Sequence, residues 1–205
     1  ILKSELGLLV VIALGVNFGL YLFLHPVLYD GLRHFLFFLP LLAVLAALSF
    51  IRLFEVKSWN WAIKALMLLT LLNLAVVGSH LVRLHPYEYI YFNELTGGVK
   101  GAEGRFDNDY WGASFKEAVD WLRMNELKPN KTYKISGSGN PYQIFCYFAP
   151  NMKWIDDPQK ADYFLSFTRD NKQQQAGKNP VIHVVEREGV PLNYVFKMRK
   201  NGGAR

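Results

Sequence analysis

The stretch LGLLVVIALGVNFGLYLFL, residues 6–24, decides the fold class of this 205-residue chain. It contains nineteen consecutive residues without a charged side chain. At a helical rise of about 1.5 Å per residue, such a run spans the roughly 30 Å hydrocarbon core of a bilayer. A helix buried in a soluble protein needs a polar face, and this stretch has none. The stretch therefore predicts a transmembrane helix.

Two more apolar runs follow in the first half of the chain. Residues 35–51 carry no charge and include Pro40, and residues 65–82 are interrupted only by His80. A membrane helix tolerates proline where neighbouring groups satisfy the freed carbonyl. We therefore predict a membrane region over residues 1–84, with three transmembrane helices at about 6–24, 35–51 and 65–82.

The composition supports a division of the chain into two unlike halves. Hydrophobic residues make up 51% of the sequence, which excludes a disordered or collagen-like chain. Only nine of the forty charged side chains fall within residues 1–83, so the mean hydropathy of +0.08 averages two different regions. The net charge of +6 is split evenly between them, and nucleic acid is not predicted as a partner. The single cysteine, Cys146, excludes an internal disulfide and is predicted to lie in the core.

The distribution of cations in the short loops predicts the orientation. Arg52, Lys57 and Lys64 lie between the second and third runs, and Lys3 precedes the first. The positive-inside rule places these residues in the cytoplasm. The first loop and everything after Arg83 are then extracytoplasmic. Because the chain begins at an isoleucine and enters an apolar run at once, we also expect it to be a fragment of a longer protein.

The second half reads as a small soluble α/β domain with a mixed sheet. Residues 85–125 form an aromatic and glycine-rich segment, with a loop at 96–104, that ends in an amphipathic helix at 114–124. Ser114 and Glu117 resemble a capping box for that helix. Residues 126–200 form the α/β domain, and residues 201–205 are expected to be disordered. Its predicted elements are strands at 132–136, 153–155 and 163–168, a short helix at 141–148, a polar loop at 170–179, and a hairpin of 181–187 with 192–199.

Arg33 and His34 are the first candidate site residues. They lie where the second predicted helix enters the outer membrane interface. One interpretation is that these cations extend to the lipid headgroups. The other is that they bind a phosphate of a lipid-linked substrate, since the guanidinium of arginine contacts phosphate oxygens in a bidentate way. Both interpretations stay open at this point.

A second group of candidates surrounds the glycine-rich segment. The carboxylates Glu94, Asp107 and Asp109 either act on a sugar or a divalent cation, or cap turns and the following helix. Tyr110 and Trp111 either stack on a sugar ring or dock the domain. The five histidines lack the spacing of metal ligands, and no metal site is predicted.

Three motifs carry a resemblance to a known family. They are YDGLRHFLFFLP at residues 29–40, HPYEYIYFNELTGG at 85–98 and FDNDYWGASFKEAVDWL at 106–122. Together they resemble the carboxy-terminal part of bacterial membrane glycosyltransferases of the GT-C fold, which use polyprenyl-phosphate sugars and are related to the dolichyl-phosphate-mannose protein mannosyltransferases. The resemblance covers roughly residues 25–125.

The resemblance implies a function for the intact protein. Such an enzyme transfers a sugar from a polyprenyl-phosphate donor to an acceptor on the extracytoplasmic face of the bacterial cytoplasmic membrane. Arg33 and His34 match basic residues that hold the lipid phosphate. The family's catalytic carboxylate belongs to the amino-terminal region, so the fragment alone is expected to be inactive. No cofactor is predicted, and a divalent cation in the intact enzyme is left open. The alternative is a non-enzymatic, membrane-anchored binding or sensory module.

Overall fold

The computed structural model describes residues 5–27, 31–55 and 61–199, without the side chains at 31, 32, 54 and 55. The chain divides into two compact units, with the boundary between Leu72 and Asn73. Lys3 and Lys57, used above for the orientation, lie outside the described residues. The tail at 201–205, predicted to be disordered, does so as well.

Three long helices occupy the first 84 residues: α1 Glu5–Leu24, α2 Phe38–Glu55 and α3 Trp61–Leu84. Helices α1 and α3 are long and apolar enough to cross a membrane, with mean hydropathies of 2.3 and 2.0. The apolar part of α2, Phe38–Leu53, is shorter than the two others. Among the described residues two helices therefore meet the length and composition of a membrane span, and the third span stays a prediction.

The second helix begins later than the sequence predicted. Residues Gly31–Phe35 form a separate 3₁₀ helix, and α2 begins at Phe38. Pro40 consequently lies in the first turn of α2. The first four N–H groups of a helix have no intrahelical acceptor, so the missing N–H of proline costs little there.

The second unit contains a mixed five-stranded sheet, which confirms the predicted α/β class. The strands are β1 Tyr133–Gly137, β2 Met152–Trp154, β3 Tyr163–Phe167, β4 Val181–Arg187 and β5 Val190–Lys197. Their order is β2-β1-β3-β5-β4, with β1 parallel to β2 and β3, and β5 antiparallel to β3 and β4. All five residues of the central strand β3 are buried, as expected for a strand covered on both faces.

The β4–β5 hairpin is tighter than the sequence predicted. Its turn is the pair Glu188–Gly189, whose φ values are 52° and 79°. Positive φ at both central residues matches the right-handed twist of the two strands. Pairing therefore begins directly at Arg187 and Val190, two residues earlier than the predicted start of the second strand.

The amphipathic helix α5, Phe115–Asn125, packs against the sheet. Its buried residues have the predicted helical spacing: Phe115, Ala118, Val119 and Leu122. The predicted capping box is wrong. Ser114 already has helical backbone angles, its hydroxyl donates to Asp109, and Glu117 binds Arg187 and Tyr87. The backbone N–H of Ser114, which Glu117 would accept in a capping box, donates to Asp109 instead, as does the N–H of Ala113.

Three smaller segments also differ from the sequence predictions. The predicted loop at 96–104 contains a short helix, α4 Gly98–Ala102, and the polar loop at 170–179 contains the 3₁₀ helix Arg169–Ala176. The predicted helix at 141–148 is reduced to α6, Tyr142–Phe145. Cys146 follows α6 and is exposed, so its predicted place in the core is wrong.

An ion pair joins α5 to the end of β4. The Arg187 guanidinium lies 2.6 Å (Nη2) from Glu117 Oε2, and the Tyr87 hydroxyl donates to the same oxygen at 2.8 Å. Arg187 also lies over the Tyr87 ring, 4.6 Å from its centroid. Burial raises the pKa of Glu117, but the hydrogen bonds from Arg187 and Tyr87 outweigh it, and the net pKa is lowered from the usual 4.5.

The pKa of Glu117 is lower in the folded state than in the unfolded state. The ion pair with Arg187 therefore stabilises the fold at pH values above the unfolded-state pKa, and this stabilisation is lost as the pH falls through the folded-state pKa. We expect Arg187→Met to lower the melting temperature at neutral pH. The difference from the unsubstituted chain is expected to shrink below about pH 4.5. Melting curves at a series of pH values measure this. Arg123→Met, which removes an exposed pair with Asp120, is the control and is expected to have little effect. If the difference in melting temperature between Arg187→Met and the unsubstituted chain did not change with pH, the result would contradict the lowered pKa of Glu117.

Candidate functional site

Arg33 and His34 lie in the 3₁₀ helix that precedes α2. Arg33 is exposed and His34 is half-buried. In the same unit, a cavity of about 490 Å³ has an entirely apolar lining, formed by Phe18, Phe35, Leu36, Phe38, Leu39 and Leu42. Phe35, which lines this cavity, follows Arg33 by two residues in the same 3₁₀ helix, so a cation and an apolar cavity occur in the same region of the unit. A phosphate with a long hydrocarbon chain needs both features.

Asp109 is fully buried, and both of its carboxylate oxygens are in use. It accepts hydrogen bonds from the hydroxyls of Tyr89 and Ser114, and from the backbone N–H groups of Ala113, at 3.0 Å, and Ser114, at 3.3 Å. The Asn193 amide of β5 in turn donates to Ser114 Oγ at 3.0 Å. Asp109 therefore joins the start of α5 to the segment at Tyr89 and, through Ser114, to the sheet.

Tyr89, which donates to Asp109, has a raised pKa. Burial raises the pKa of Tyr89, and the negative charge of Asp109 and the hydrogen bond to it raise the pKa further. Tyr89 therefore stays protonated and remains a donor. A direct contact between Asp109 and a sugar, as predicted above, would require these donors to move, and that contact stays a prediction.

Tyr110 and Trp111 form an edge-to-face pair with ring centroids 5.0 Å apart. The Arg169 guanidinium lies over the Tyr110 ring, 3.7 Å from its centroid, and covers that face. Trp111 is 53% exposed, and its backbone carbonyl accepts a hydrogen bond from Gln143. Of the two rings, Trp111 is the one that a ligand reaches directly.

A cleft of about 550 Å³ opens beside this segment. One wall is the glycine-containing segment 103–108, the second comes from Thr168 and the following 3₁₀ helix, and Pro191 and Tyr194 of β5 complete the lining. Its volume lies within the range of small-molecule sites. Asp107 was a candidate from the sequence, but nothing in the spacing indicates that residues about sixty positions later form the opposite wall.

The cleft contains buried polar atoms without a partner. Asn108 is only 6% exposed, and its Oδ1 has no hydrogen-bond partner among the described residues. The same holds for Thr168 Oγ1 and Gln173 Oε1, which line the opposite wall. Most buried polar groups in proteins are hydrogen-bonded, so these two amide oxygens and one hydroxyl are exceptions among the described residues.

The second wall also has an unusual backbone. Asp170 and Asn171 both have φ of 54°, in the left-handed region that residues other than glycine seldom adopt. Asp170 forms ion pairs with Lys172 at 3.4 Å and Arg169 at 3.7 Å.

His80 lies between two carboxylates that are distant in sequence. Its Nδ1 is 3.2 Å from Glu188 Oε1, and its Nε2 is 3.4 Å from Glu94 Oε1. This grouping was not predicted from the sequence, because the hairpin turn that carries Glu188 is 108 residues away from His80. Within residues 5–27, 31–55 and 61–199, no group of three or more histidine, cysteine or acidic side chains is placed to hold a metal ion.

Comparison with known proteins finds no matching family model, no matching curated protein and no matching solved structure. The fold and the sites define a class in coarse terms. The described part of the chain has two helices that are long and apolar enough to span a membrane, and a mixed α/β unit with a polar cleft. The resemblance to GT-C glycosyltransferases stays a prediction.

Proposed function

We propose that this chain is the carboxy-terminal part of an integral-membrane glycosyltransferase. The whole protein transfers a sugar from a polyprenyl-phosphate donor to an acceptor on the extracytoplasmic face. All three long helices span the bacterial cytoplasmic membrane, with the α/β unit outside. The resemblance of residues 25–125 supports this proposal. The observation that carries it is the exposed Arg33 in the same 3₁₀ helix as Phe35, which lines an apolar cavity.

The proposed chemistry assigns a role to each of the two basic residues. When the sugar is transferred, the lipid phosphate leaves with additional negative charge, which needs stabilisation more than protonation. Arg33 contacts the phosphate oxygens in a bidentate way and stays charged at any relevant pH. His34, half-buried beside it, supports the same phosphate. The apolar cavity accepts the first part of the prenyl chain.

Replacing Arg33 with alanine in the full-length protein tests this role. We expect sugar transfer from the polyprenyl-phosphate donor to fall about a hundredfold, the effect of removing one charge-stabilising donor. Arg33→Lys is expected to recover part of the rate. Arg52→Ala, which removes an exposed cation near the other end of α2, is the control and is expected to leave transfer unchanged.

A binding measurement on this chain in lipid nanodiscs complements the rate. Polyprenyl phosphate is expected to bind the unsubstituted chain more tightly than polyprenol, and Arg33→Ala is expected to remove that preference. Transfer that is unchanged in the Arg33→Ala protein would overturn the proposal.

A second candidate is a membrane-anchored module that binds an envelope ligand without transferring it. The polar cleft of the second unit favours this candidate. The two differ in one measurement, because only the glycosyltransferase releases polyprenyl phosphate from the donor when an acceptor is added.

A further inference from the structure

We infer that the loop at residues 93–97, with Leu95 at its centre, inserts into the membrane interface beside the carboxyl end of α3. The partner of this loop is therefore a lipid surface, and the insertion seats the second unit on the membrane. The inference requires only that α3 spans the bilayer, and it does not depend on the proposed transfer reaction.

Leu95 is an exposed apolar side chain on an ordered turn. It is 99% exposed, the highest value for a large apolar side chain among the described residues. The carbonyl of Asn93 accepts hydrogen bonds from the N–H groups of Thr96, at 3.0 Å, and Gly98, at 3.1 Å. Asn93 Oδ1 also accepts from the N–H and the hydroxyl of Thr96, at 3.1 and 3.2 Å. Single exposed leucines are common on proteins, so the position of this turn decides what the exposure means.

The turn lies next to the last turns of α3, which belong to the second unit from Asn73 onward. Glu94, directly before Leu95, has its Oε1 3.4 Å from Nε2 of His80 in α3. The hairpin turn contacts the same imidazole, since Glu188 Oε1 lies 3.2 Å from its Nδ1. Consecutive Cα atoms are only about 3.8 Å apart, so Leu95 lies near this end of α3 as well.

His80 occupies the level on α3 where a bilayer surface is expected. Helix α3 begins at Trp61, and the segment from Trp61 to His80 rises about 30 Å, the thickness of the hydrocarbon core. Apolar side chains of α3 stay exposed as far as Val82, which is 77% exposed. Leu95 therefore continues an apolar surface that lipid covers when α3 spans the membrane.

The residues around this level are of the types that occur at membrane interfaces. The Tyr91 ring lies 5.9 Å from the His80 ring, measured between centroids, and tyrosine is enriched at the headgroup level. Arg83 in the last turn of α3 and Lys100 beside the hairpin turn are exposed cations. Such cations interact favourably with lipid phosphates at the membrane surface.

The small apolar area of the turn favours lipid over a protein partner. A stable protein interface covers about 800 Å² on each partner. Here one leucine is exposed between the polar residues Asn93, Glu94 and Thr96. A bilayer accepts a single inserted side chain, because the hydrocarbon closes around it and the polar neighbours stay among the headgroups.

Fluorescence quenching in nanodiscs tests the insertion with the full chain. Leu95→Cys is made in the Cys146→Ser chain, labelled with the environment-sensitive fluorophore NBD and loaded at one chain per nanodisc. We expect the NBD emission to shift to the blue, and lipids with a doxyl group near the headgroup to quench it more than lipids with a doxyl group near the chain end. Met124→Cys, labelled in the same way, is the matched control, because Met124 is an apolar side chain of the same unit with 78% exposure. Its label is expected to keep the emission of an aqueous fluorophore.

A second measurement keeps the leucine in place. In a chain with ¹³C-labelled leucine methyl groups, the signal that Leu95→Ala removes belongs to Leu95, and we expect it to show cross-relaxation with the lipid acyl chains. Three results would overturn the inference: an unshifted NBD emission at position 95, equal quenching at positions 95 and 124, or a Leu95 methyl signal without contact to the acyl chains. A blue shift without doxyl quenching would also overturn it, since protein would then cover Leu95.

Discussion

Replacing Asp109 with alanine is expected to lower the free energy of unfolding of the second unit by about 3–5 kcal/mol. The substitution removes an acceptor from two hydroxyls and two backbone N–H groups, and the donors on Ser114 are buried. Buried donors that lose their acceptor keep the full cost of their desolvation. Asp109→Asn retains one oxygen, so we expect an intermediate loss.

Urea denaturation of the full chain in nanodiscs measures this loss, followed by tryptophan emission, to which Trp121 and Trp154 of the second unit contribute. Asp107→Ala is the matched control, because Asp107 is an exposed aspartate only two residues away. We expect its free energy of unfolding to change by no more than about 0.5 kcal/mol. Equal effects at the two positions would show that Asp109 does not join these elements.

The same pair of variants separates the two roles that the sequence left open for Asp109. If Asp109 only contacted a ligand, its substitution would leave the stability of the unliganded chain unchanged. If Asp109 holds Tyr89 and the start of α5, its substitution lowers that stability. Substitution of Asp107 is expected to leave the stability of the unliganded chain nearly unchanged, since Asp107 lines the cleft and is exposed.

Patterns that depend on neighbouring residues were predicted well from the sequence. The spacing of Phe115, Ala118, Val119 and Leu122 predicted the buried face of α5, and the strand predicted at 163–168 matches the central strand Tyr163–Phe167. In α5 a local period determines which side chains are buried. The tight turn at Glu188–Gly189 was missed, because nothing local indicates that a glutamate adopts positive φ.

The candidate site depends on contacts between distant parts of the chain, which the sequence does not display. Asn108 and Gln173 line one cleft because β3 ends beside the segment at 103–108. Ser114 was interpreted as a helix cap because its local pattern fits one. The observed acceptor of the Ser114 N–H is Asp109, which lies five residues earlier, and Ser114 has helical backbone angles. The capping pattern thus marked the helix start correctly, although Ser114 makes no side-chain cap hydrogen bond.

Phe115 is the second position where a large effect is expected. Its side chain is fully buried, and its ring lies 5.3 Å from that of Phe167, measured between centroids. The ring also fills space next to two glycines: a Cβ added to Gly112 would lie 2.8 Å from it, and one added to Gly139 would lie 2.9 Å from it. Phe115→Ala is therefore expected to lower the free energy of unfolding by about 3–5 kcal/mol.

A double-mutant cycle with Gly139 tests whether this close contact is the cause. Gly139 does not have positive φ, so alanine suits its backbone, and the Phe115 ring is the main obstacle to a Cβ there. Gly139→Ala alone is expected to destabilise by about 1–3 kcal/mol, as overpacking does. In the Phe115→Ala background the new methyl enters vacated space, so we expect it to cost little or to recover stability. Additive effects, measured by the same urea denaturation, would mean that the glycine is required for another reason.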